Sequence, residues 1–99
     1  MTSRDRYLLR KYGITEAEYD VLLAWNYGAC WICDSLPKKR RLHVEHDHRT
    51  DAVRGLTCWS CNVLLKQAKD DPAILMSAAN YLVSDNAQNL LSLEREKDA

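Results

Sequence analysis

The chain has 99 residues, of which 14 are basic and 14 acidic, so its formal net charge is zero. A chain of this length predicts one small domain, of a size often stabilised by a metal ion or disulfides. The balanced charge argues against a simple polybasic binder, and no apolar run is long enough for a signal peptide or a membrane span. We therefore expect a cytoplasmic protein, in which cysteines are more often metal ligands than disulfides.

The N-terminal segment, residues 1–28, predicts two short helices that act as scaffold. The first is expected to be capped by Ser3, to run to about Tyr12 and to stop at Gly13. The second begins at the capping-box sequence Thr15-Glu16-Ala17-Glu18 and runs to about Asn26. Its residues Tyr19, Leu22, Leu23 and Asn26 fall on one mostly apolar face, which should pack against the core.

The central segment, residues 29–69, predicts a hairpin followed by a helix. A tight cysteine-containing turn and a polar loop lead into an extended stretch, Leu42 to Glu45. A second extended stretch covers Val53 to Thr57, and the polar residues 47–52 form the connection between the two. A helix should begin at about Trp59.

The C-terminal segment, residues 70–99, predicts two further helices. Asp70-Asp71-Pro72 combines a cap with proline at the first helical position, so a helix should run from Pro72 to about Val83. Its apolar stripe is expected to be core and consists of Ile74, Leu75, Ala78, Ala79 and Leu82. A last piece, Asn86 to Glu96, is too short and charged to be secure alone, so it either docks on a partner or frays.

Two Cys-x-x-Cys pairs, Cys30 with Cys33 and Cys58 with Cys61, indicate a zinc site. Each pair can offer two thiolates to one tetrahedral ion, and a four-sulfur shell leaves no position open for substrate. The zinc should therefore be structural and join the hairpin to the helix that follows. Two disulfides or buried free thiols are the alternatives, and a thioredoxin-like redox pair is a weaker one because no βαβ pattern surrounds the cysteines.

The sequence Glu45-His46-Asp47-His48, together with Asn62, predicts a site that hydrolyses phosphodiesters. Such a reaction needs a base for water and a cation to offset charge on the phosphate and the leaving oxygen. The imidazole of His46, with an ordinary pKa of ~6.5, suits the base. The oxygens of Glu45 and Asn62 suit a hard ion such as Mg²⁺ or Mn²⁺. The alternative is that these histidines are ordinary surface or structural residues.

The residues around this stretch have subsidiary predicted roles. His48, Arg49 or Arg54 could hold the phosphate. His43 is interpreted as structural, and Asp47 as a residue that orients a histidine or the loop. A cationic front for DNA is predicted despite the zero net charge. Its members are Lys38, Lys39, Arg40, Arg41, Arg49 and Arg54.

The segments KYGITEAEYD, CWIC, HVEHDH, VRGLTCWSCN and DDPAILMSAANYL resemble the phage recombination endonuclease VII family, over about residues 6–83. The resemblance implies a zinc bound by the four cysteines, a general base at His46, a magnesium-type site that includes Asn62, and a phosphate-contacting His48. It also implies intertwined dimers that resolve four-way DNA junctions by paired nicks. Glu45 stands where the family usually has aspartate, and it keeps the carboxylate.

The resemblance implies the fold class as well. We expect a mainly helical α+β domain with a ββα-metal motif (also called His-Asn-His or His-Me finger), stapled by the zinc. The predicted function is a metal-dependent DNA endonuclease acting on branched DNA such as Holliday junctions, in phage recombination or DNA packaging within a bacterial host. The alternatives are a less selective nicking endonuclease and a zinc-stapled DNA-binding module without catalysis.

Overall fold

The computed structural model describes residues 1–97, which form five helices and one two-stranded sheet. In chain order these are α1 (Ser3–Tyr12), α2 (Glu16–Trp25), β1 (His43–His46), β2 (Val53–Thr57), α3 (Trp59–Gln67), α4 (Pro72–Leu82) and α5 (Asn86–Lys97). Residues 98 and 99, the end of the predicted segment 70–99, lie outside the described part. The protein is thus small, mixed and rich in helix. None of the helices described combines the length and apolar character needed to cross a bilayer.

The first helix is capped by Thr2, so the prediction of Ser3 was wrong. The Thr2 hydroxyl accepts the Asp5 N–H at 2.9 Å, and the Asp5 carboxylate accepts the Thr2 N–H at 3.3 Å. A capping box needs an acceptor three residues after the cap; Thr2 has Asp5 there, whereas Ser3 has Arg6. The Asp5 carboxylate also accepts the N–H of Glu16 at 2.7 Å, and it thereby joins the starts of α1 and α2.

The predicted face of α2 is confirmed, and it packs on the core. Tyr19 is almost fully buried, and its hydroxyl donates to the carbonyl of Leu42 at 2.7 Å. This bond fixes α2 to the residue that enters the hairpin. The buried cluster around it is small and consists of Leu8, Tyr19, Cys30, Leu42, Val44, Leu56 and Cys61. Because two cysteines belong to this cluster, the core and the candidate metal site are one structure.

The two strands form the predicted antiparallel hairpin, with β1 shifted by one residue from the expected stretch. Glu45 pairs with Gly55, whereas His46 pairs with Val53, so Arg54 is an extra residue on β2. This irregularity is a β-bulge, which redirects side chains relative to regular strand alternation. Consecutive residues Val44 and Glu45 are both buried, and His46 is half-buried at the strand end.

Gly55 leaves room for an indole ring that lies against the hairpin. A Cβ atom at Gly55 would stand 2.4 Å from Cε3 of Trp31. The indole is held on two sides, because it stacks on Trp25 with ring centroids 4.5 Å apart and its Nε1–H donates to the Leu22 carbonyl at 3.3 Å. The ring therefore has little freedom to move aside.

Gly55→Ala should lower the free energy of unfolding by about 1–3 kcal/mol, because overpacking displaces a fixed ring. Urea unfolding measures this. In a Trp31→Leu background the same substitution should cost less, since the clash is gone. An unchanged urea midpoint for Gly55→Ala alone would contradict this packing.

The prediction that the α4 stripe is core was wrong. Within the described residues α4 and α5 bury no side chain, and Ile74 is 44% and Leu82 80% exposed. Helical periodicity identifies an apolar face but not what covers it. The chain leaves the domain through Lys69 and Asp70, which both have left-handed backbone angles (φ 57° and 55°). The predicted start at the Asp71 cap and Pro72 is confirmed.

Candidate functional site

The four cysteines converge between the turn after α2 and the first turn of α3. Their sulfur atoms all lie within 4.8 Å of one another, and the Sγ atoms of Cys33 and Cys58 are 3.8 Å apart. Zinc–sulfur bonds of about 2.3 Å place tetrahedral sulfurs about 3.8 Å apart. All four cysteines are free, in contrast to the disulfide alternative. The cluster can therefore bind a metal ion such as zinc.

The thiols differ in how readily they lose a proton. Hydrogen bonds with Ser35, through its side chain and backbone, lower the pKa of Cys33 to about 6. Burial, followed by the neighbouring thiols, raises the pKa of Cys61 well above its ordinary value. Crowded thiolates repel one another, so a divalent cation at their centre would stabilise all four in the charged form. The donor chemistry and the spacing both fit zinc.

A second group of polar side chains lines a cavity of about 240 Å³ between the hairpin and the first turns of α3. His46 comes from the end of β1, His48 from the connection after it, and Asn62 from α3. The position of Asn62 follows from the cysteine turn, since its N–H donates to the Cys58 carbonyl at 3.0 Å. Lys11 and Lys66 also line the cavity and make it cationic.

His46 is held by rings rather than by hydrogen bonds. Its centroid lies 5.7 Å from the Tyr12 ring and 5.1 Å from the His48 ring. Its Nδ1 is buried without a hydrogen-bond partner among the described residues. The nearest carboxylate oxygen, on Asp51, is 3.9 Å from that nitrogen, which is too long for a hydrogen bond. The imidazole is thus oriented but not committed to a structural partner.

Glu45 lies elsewhere. It is only 4% exposed, and its two carboxylate oxygens accept from Nε and Nη2 of Arg54 at 2.8 and 2.5 Å. It does not line the cavity of His46 and Asn62. The bulge explains this pairing, because Arg54 is the unpaired extra residue beside the Glu45–Gly55 pair. The structure therefore brings His46, His48 and Asn62 together, and it places Glu45 against an arginine.

Asp70 completes a chain of charges that sequence reasoning missed. Its Oδ1 accepts from Arg54 Nη2 and its Oδ2 contacts His48 Nδ1, both at 3.1 Å. The carboxylate thus links the Glu45–Arg54 pair to the imidazole of His48. The sequence placed Asp70 in a helix-capping motif, where an acid has a sufficient local role, so nothing signalled a contact with residues 16 and 22 positions upstream.

Two neighbouring residues have the subsidiary roles expected of them. The Asp47 carboxylate accepts the N–H of Arg49 at 2.7 Å, so Asp47 orients the loop. Burial, followed by the charges of Arg40 and Lys11, lowers the pKa of His43, whose ring packs on Trp59 with centroids 5.5 Å apart. His43 is therefore a neutral packing residue at neutral pH.

A family model described as recombination endonuclease VII matches residues 5–84 of this chain. The chain belongs to the recombination endonuclease VII family. The match ends before α5 and includes every candidate site residue named above.

Two curated phage proteins are similar to this endonuclease VII chain. The Gene 59 protein of Mycobacterium phage D29 is 42% identical over 83 residues, which cover 82% of this chain and 50% of that protein. The Gene 59 protein of Mycobacterium phage L5 is 39% identical over 92 residues, covering 91% of this chain and 56% of that protein. The chain thus spans about half the length of these relatives. No solved structure matches it significantly.

The residues predicted to form a cationic front differ in their placement. Lys38, Arg40 and Arg41 line a groove of about 400 Å³ that shares His43 and Trp59 with the His46 cavity. Lys39 and Arg49 are exposed, whereas Arg54 is engaged by Glu45 and Asp70. The groove offers a phosphate backbone a cationic path to the cavity.

Glu45→Gln should lower the free energy of unfolding of this endonuclease VII chain by about 1–3 kcal/mol, because charge-assisted hydrogen bonds at a buried carboxylate are lost. Urea unfolding measures the effect. Asp20→Asn is the matched control, because it removes the same charge at an exposed position of α2. Equal stability of the two variants would show that the Glu45–Arg54 pair contributes nothing.

Proposed function

We propose that the chain is a metal-dependent DNA endonuclease that hydrolyses phosphodiester bonds at the cavity of His46, His48 and Asn62. The observation that carries the proposal is the convergence of these side chains from three different segments beside a four-cysteine site. Two imidazoles and an amide meet at this cavity, and the surrounding lysines favour an anion. The hairpin followed by α3 is the arrangement expected of a ββα-metal motif.

His46 is the proposed general base. A neutral imidazole accepts a proton from the attacking water, which is the role of a general base. Packing between Tyr12 and His48 keeps its orientation fixed. His48 is the proposed phosphate contact, and Lys11 and Lys66 supply positive charge to the same cavity. These groups together deprotonate water and offset the charge that develops on phosphate.

The proposed catalytic ion is Mg²⁺ or Mn²⁺, with Asn62 and Glu45 as ligands. The amide oxygen of Asn62 lines the cavity and fits a hard cation. The carboxylate of Glu45 fits in chemistry but not in its present pairing, since Arg54 holds both oxygens. When bound, such an ion supplies positive charge to the phosphate and the leaving oxygen.

We further propose that the four-cysteine site binds a structural zinc ion. Four sulfur ligands fill a tetrahedral shell, so the ion has no open position for water or DNA. Its role is to hold the turn of Cys30 and Cys33 against the start of α3. That start carries Asn62, so the zinc positions one wall of the cavity.

Branched DNA, above all the four-way junction, is the proposed substrate, cut during phage recombination or packaging inside the infected bacterium. Paired nicks need two active sites related by a two-fold axis, so the active form is proposed to be a homodimer. The exposed apolar side chains of α4 and α5, such as Leu82 and Leu90, supply surface that a second copy would cover.

A cleavage assay tests this function. A labelled four-way junction and linear duplexes of its arms are incubated with zinc-loaded protein and magnesium, manganese or a chelator of divalent ions. We expect magnesium- or manganese-dependent nicking, with the junction preferred. Equal nicking of all substrates would favour the less selective endonuclease. Nicking that persists in the presence of the chelator would contradict the proposed need for a catalytic ion.

The engagement of Glu45 by Arg54 favours one alternative, a zinc-stapled DNA-binding module without catalysis. In that case the junction would be bound, with an affinity that falls as salt rises, but no phosphodiester would be cut under any metal condition. The same assay, with a gel-shift arm, distinguishes the two functions.

A further inference from the structure

We propose that Asp70 is a positioning residue for His48. This inference rests on the proposed phosphate contact of His48. Asp70 Oδ2 lies 3.1 Å from His48 Nδ1, while Oδ1 accepts from Arg54 Nη2 at the same distance. Nδ1 must carry the proton in this contact, because a carboxylate only accepts. An imidazolium that donates from Nδ1 to Asp70 keeps its second N–H, on Nε2, for a phosphate oxygen.

The charge of Asp70 is secured by its partners. Partial burial acts to raise the pKa of Asp70, but hydrogen bonds from Arg54 and then His48 outweigh it and hold the pKa below its ordinary value. The carboxylate is therefore ionised at neutral pH. Asp70 is absent from the lining of the cavity that His48 shares with His46 and Asn62, and it lines two neighbouring clefts together with His48.

The backbone between α3 and α4 is shaped to deliver this carboxylate. Lys69 and Asp70 are successive left-handed residues, and aspartate is among the few non-glycine residues that tolerate this conformation. The N–H of Asp70 donates to the Leu65 carbonyl at 2.9 Å, which closes the turn onto the end of α3. Ala68, buried at the end of the same helix, anchors it to the domain.

The neighbouring acid, Asp71, has a separate role. Its carboxylate accepts the N–H of Ala73 at 2.9 Å and caps α4. Among the described residues, the Asp71 carboxylate has no hydrogen bond to His48 or Arg54, both of which bond to Asp70 instead. Because asparagine is as good a cap as aspartate, Asp71→Asn removes the same charge one residue away and leaves the helix start intact. It is therefore the matched control for Asp70→Asn.

Asp70→Asn keeps the left-handed backbone and the side-chain shape but turns one oxygen into an NH2 donor. The amide oxygen can accept a hydrogen bond from either His48 or Arg54. The NH2 group then faces the N–H of the other residue, and two donors cannot form a hydrogen bond. Asp70→Gly removes the carboxylate altogether and suits the left-handed conformation even better. Both variants should fold, and urea unfolding checks that they do.

The experiment has two readouts, one of them independent of activity. Long-range proton–nitrogen NMR spectra, recorded at a pH where the ring is seen to be neutral, report which ring nitrogen of His48 carries the proton. Wild type and Asp71→Asn should show His48 protonated at Nδ1, and Asp70→Gly should lose that preference. Single-turnover cleavage of the four-way junction should slow by about 10–100-fold in Asp70→Gly, as for other residues that orient an active-site histidine.

Epistasis separates an effect through His48 from one through Arg54. Asp70→Gly should slow wild type but add no further loss in a His48→Ala background. Additive losses, or an unchanged His48 tautomer in Asp70→Gly, would overturn the inference. If wild type cuts no DNA, the proposed function fails, while the NMR readout still decides whether Asp70 sets the tautomer of His48.

Discussion

Replacing Cys58 with serine should leave the domain largely unfolded at room temperature. The buried core is small and includes Cys30 and Cys61, so a change that disrupts the metal site also disrupts the core. Structural zinc contributes about 10–16 kcal/mol of apparent binding free energy in zinc-finger peptides, more than the whole stability of most small domains. Losing one of four thiolates removes much of that contribution.

Circular dichroism and zinc content per chain measure the effect of Cys58→Ser. Cys58 is also the N-cap of α3, and serine is a good cap, so the substitution spares the helix start while it removes the ligand. Ser60→Ala, at an exposed position between the two cysteines, is the matched control and should keep its zinc and its melting curve. A zinc-free wild type that melts like the zinc-loaded protein would contradict the structural role of the ion.

His46→Ala should reduce the cleavage rate by about 10²–10⁴-fold, the range that general-base catalysis contributes, while DNA is still bound. The ring makes no hydrogen bond with another described residue, so its removal should cost the fold little more than its packing against Tyr12. Single-turnover cleavage measures the rate, and a gel shift measures binding.

Chemical rescue makes the test of His46 specific to a base. Added imidazole should restore part of the cleavage by His46→Ala, because the cavity left by the side chain admits a free imidazole beside the water. It should not restore cleavage by Asn62→Ala, whose loss concerns an oxygen ligand. A His46→Ala protein that cuts DNA at close to the wild-type rate would show that His46 is not the general base.

The local structure follows closely from the sequence where short-range chemistry decides it. The capping box at Thr15 and Glu18, the strand Val53–Thr57 and the start of α3 at Trp59 all appear as predicted. These features depend on hydrogen bonds and propensities within a few residues. The misplaced cap at Ser3 fits the same pattern, since the pairing of Thr2 with Asp5 was available in the sequence and was overlooked.

The site is less predictable because its contacts are tertiary. His46, His48 and Asn62 line one cavity without Glu45, and their chemical roles stay predictions. The pairing of Glu45 with Arg54 depends on a bulge, and a one-residue change of register has no signature in residue type. Asp70 reaches the site only through a left-handed turn. The exposure of the apolar stripe of α4 was equally hard to predict, because periodicity does not reveal whether a helix face is covered.

The exposed helices and the site are connected through one turn. Asp70 contacts His48, and α4 begins two residues later at Pro72. A second copy that covered α4 would therefore act on the segment that carries this carboxylate. The proposed dimer would in this way bear on the geometry of each active site as well as on the spacing of the two nicks.

The most direct test of the central claim is a crystal structure of His46→Ala protein, loaded with zinc and magnesium, bound to an uncut four-way junction. We expect one phosphate in the cavity between His48, Asn62 and the position of the missing imidazole, with the DNA backbone continuing along Lys38, Arg40 and Arg41. DNA bound across another face, with the cavity empty of phosphate, would contradict the account.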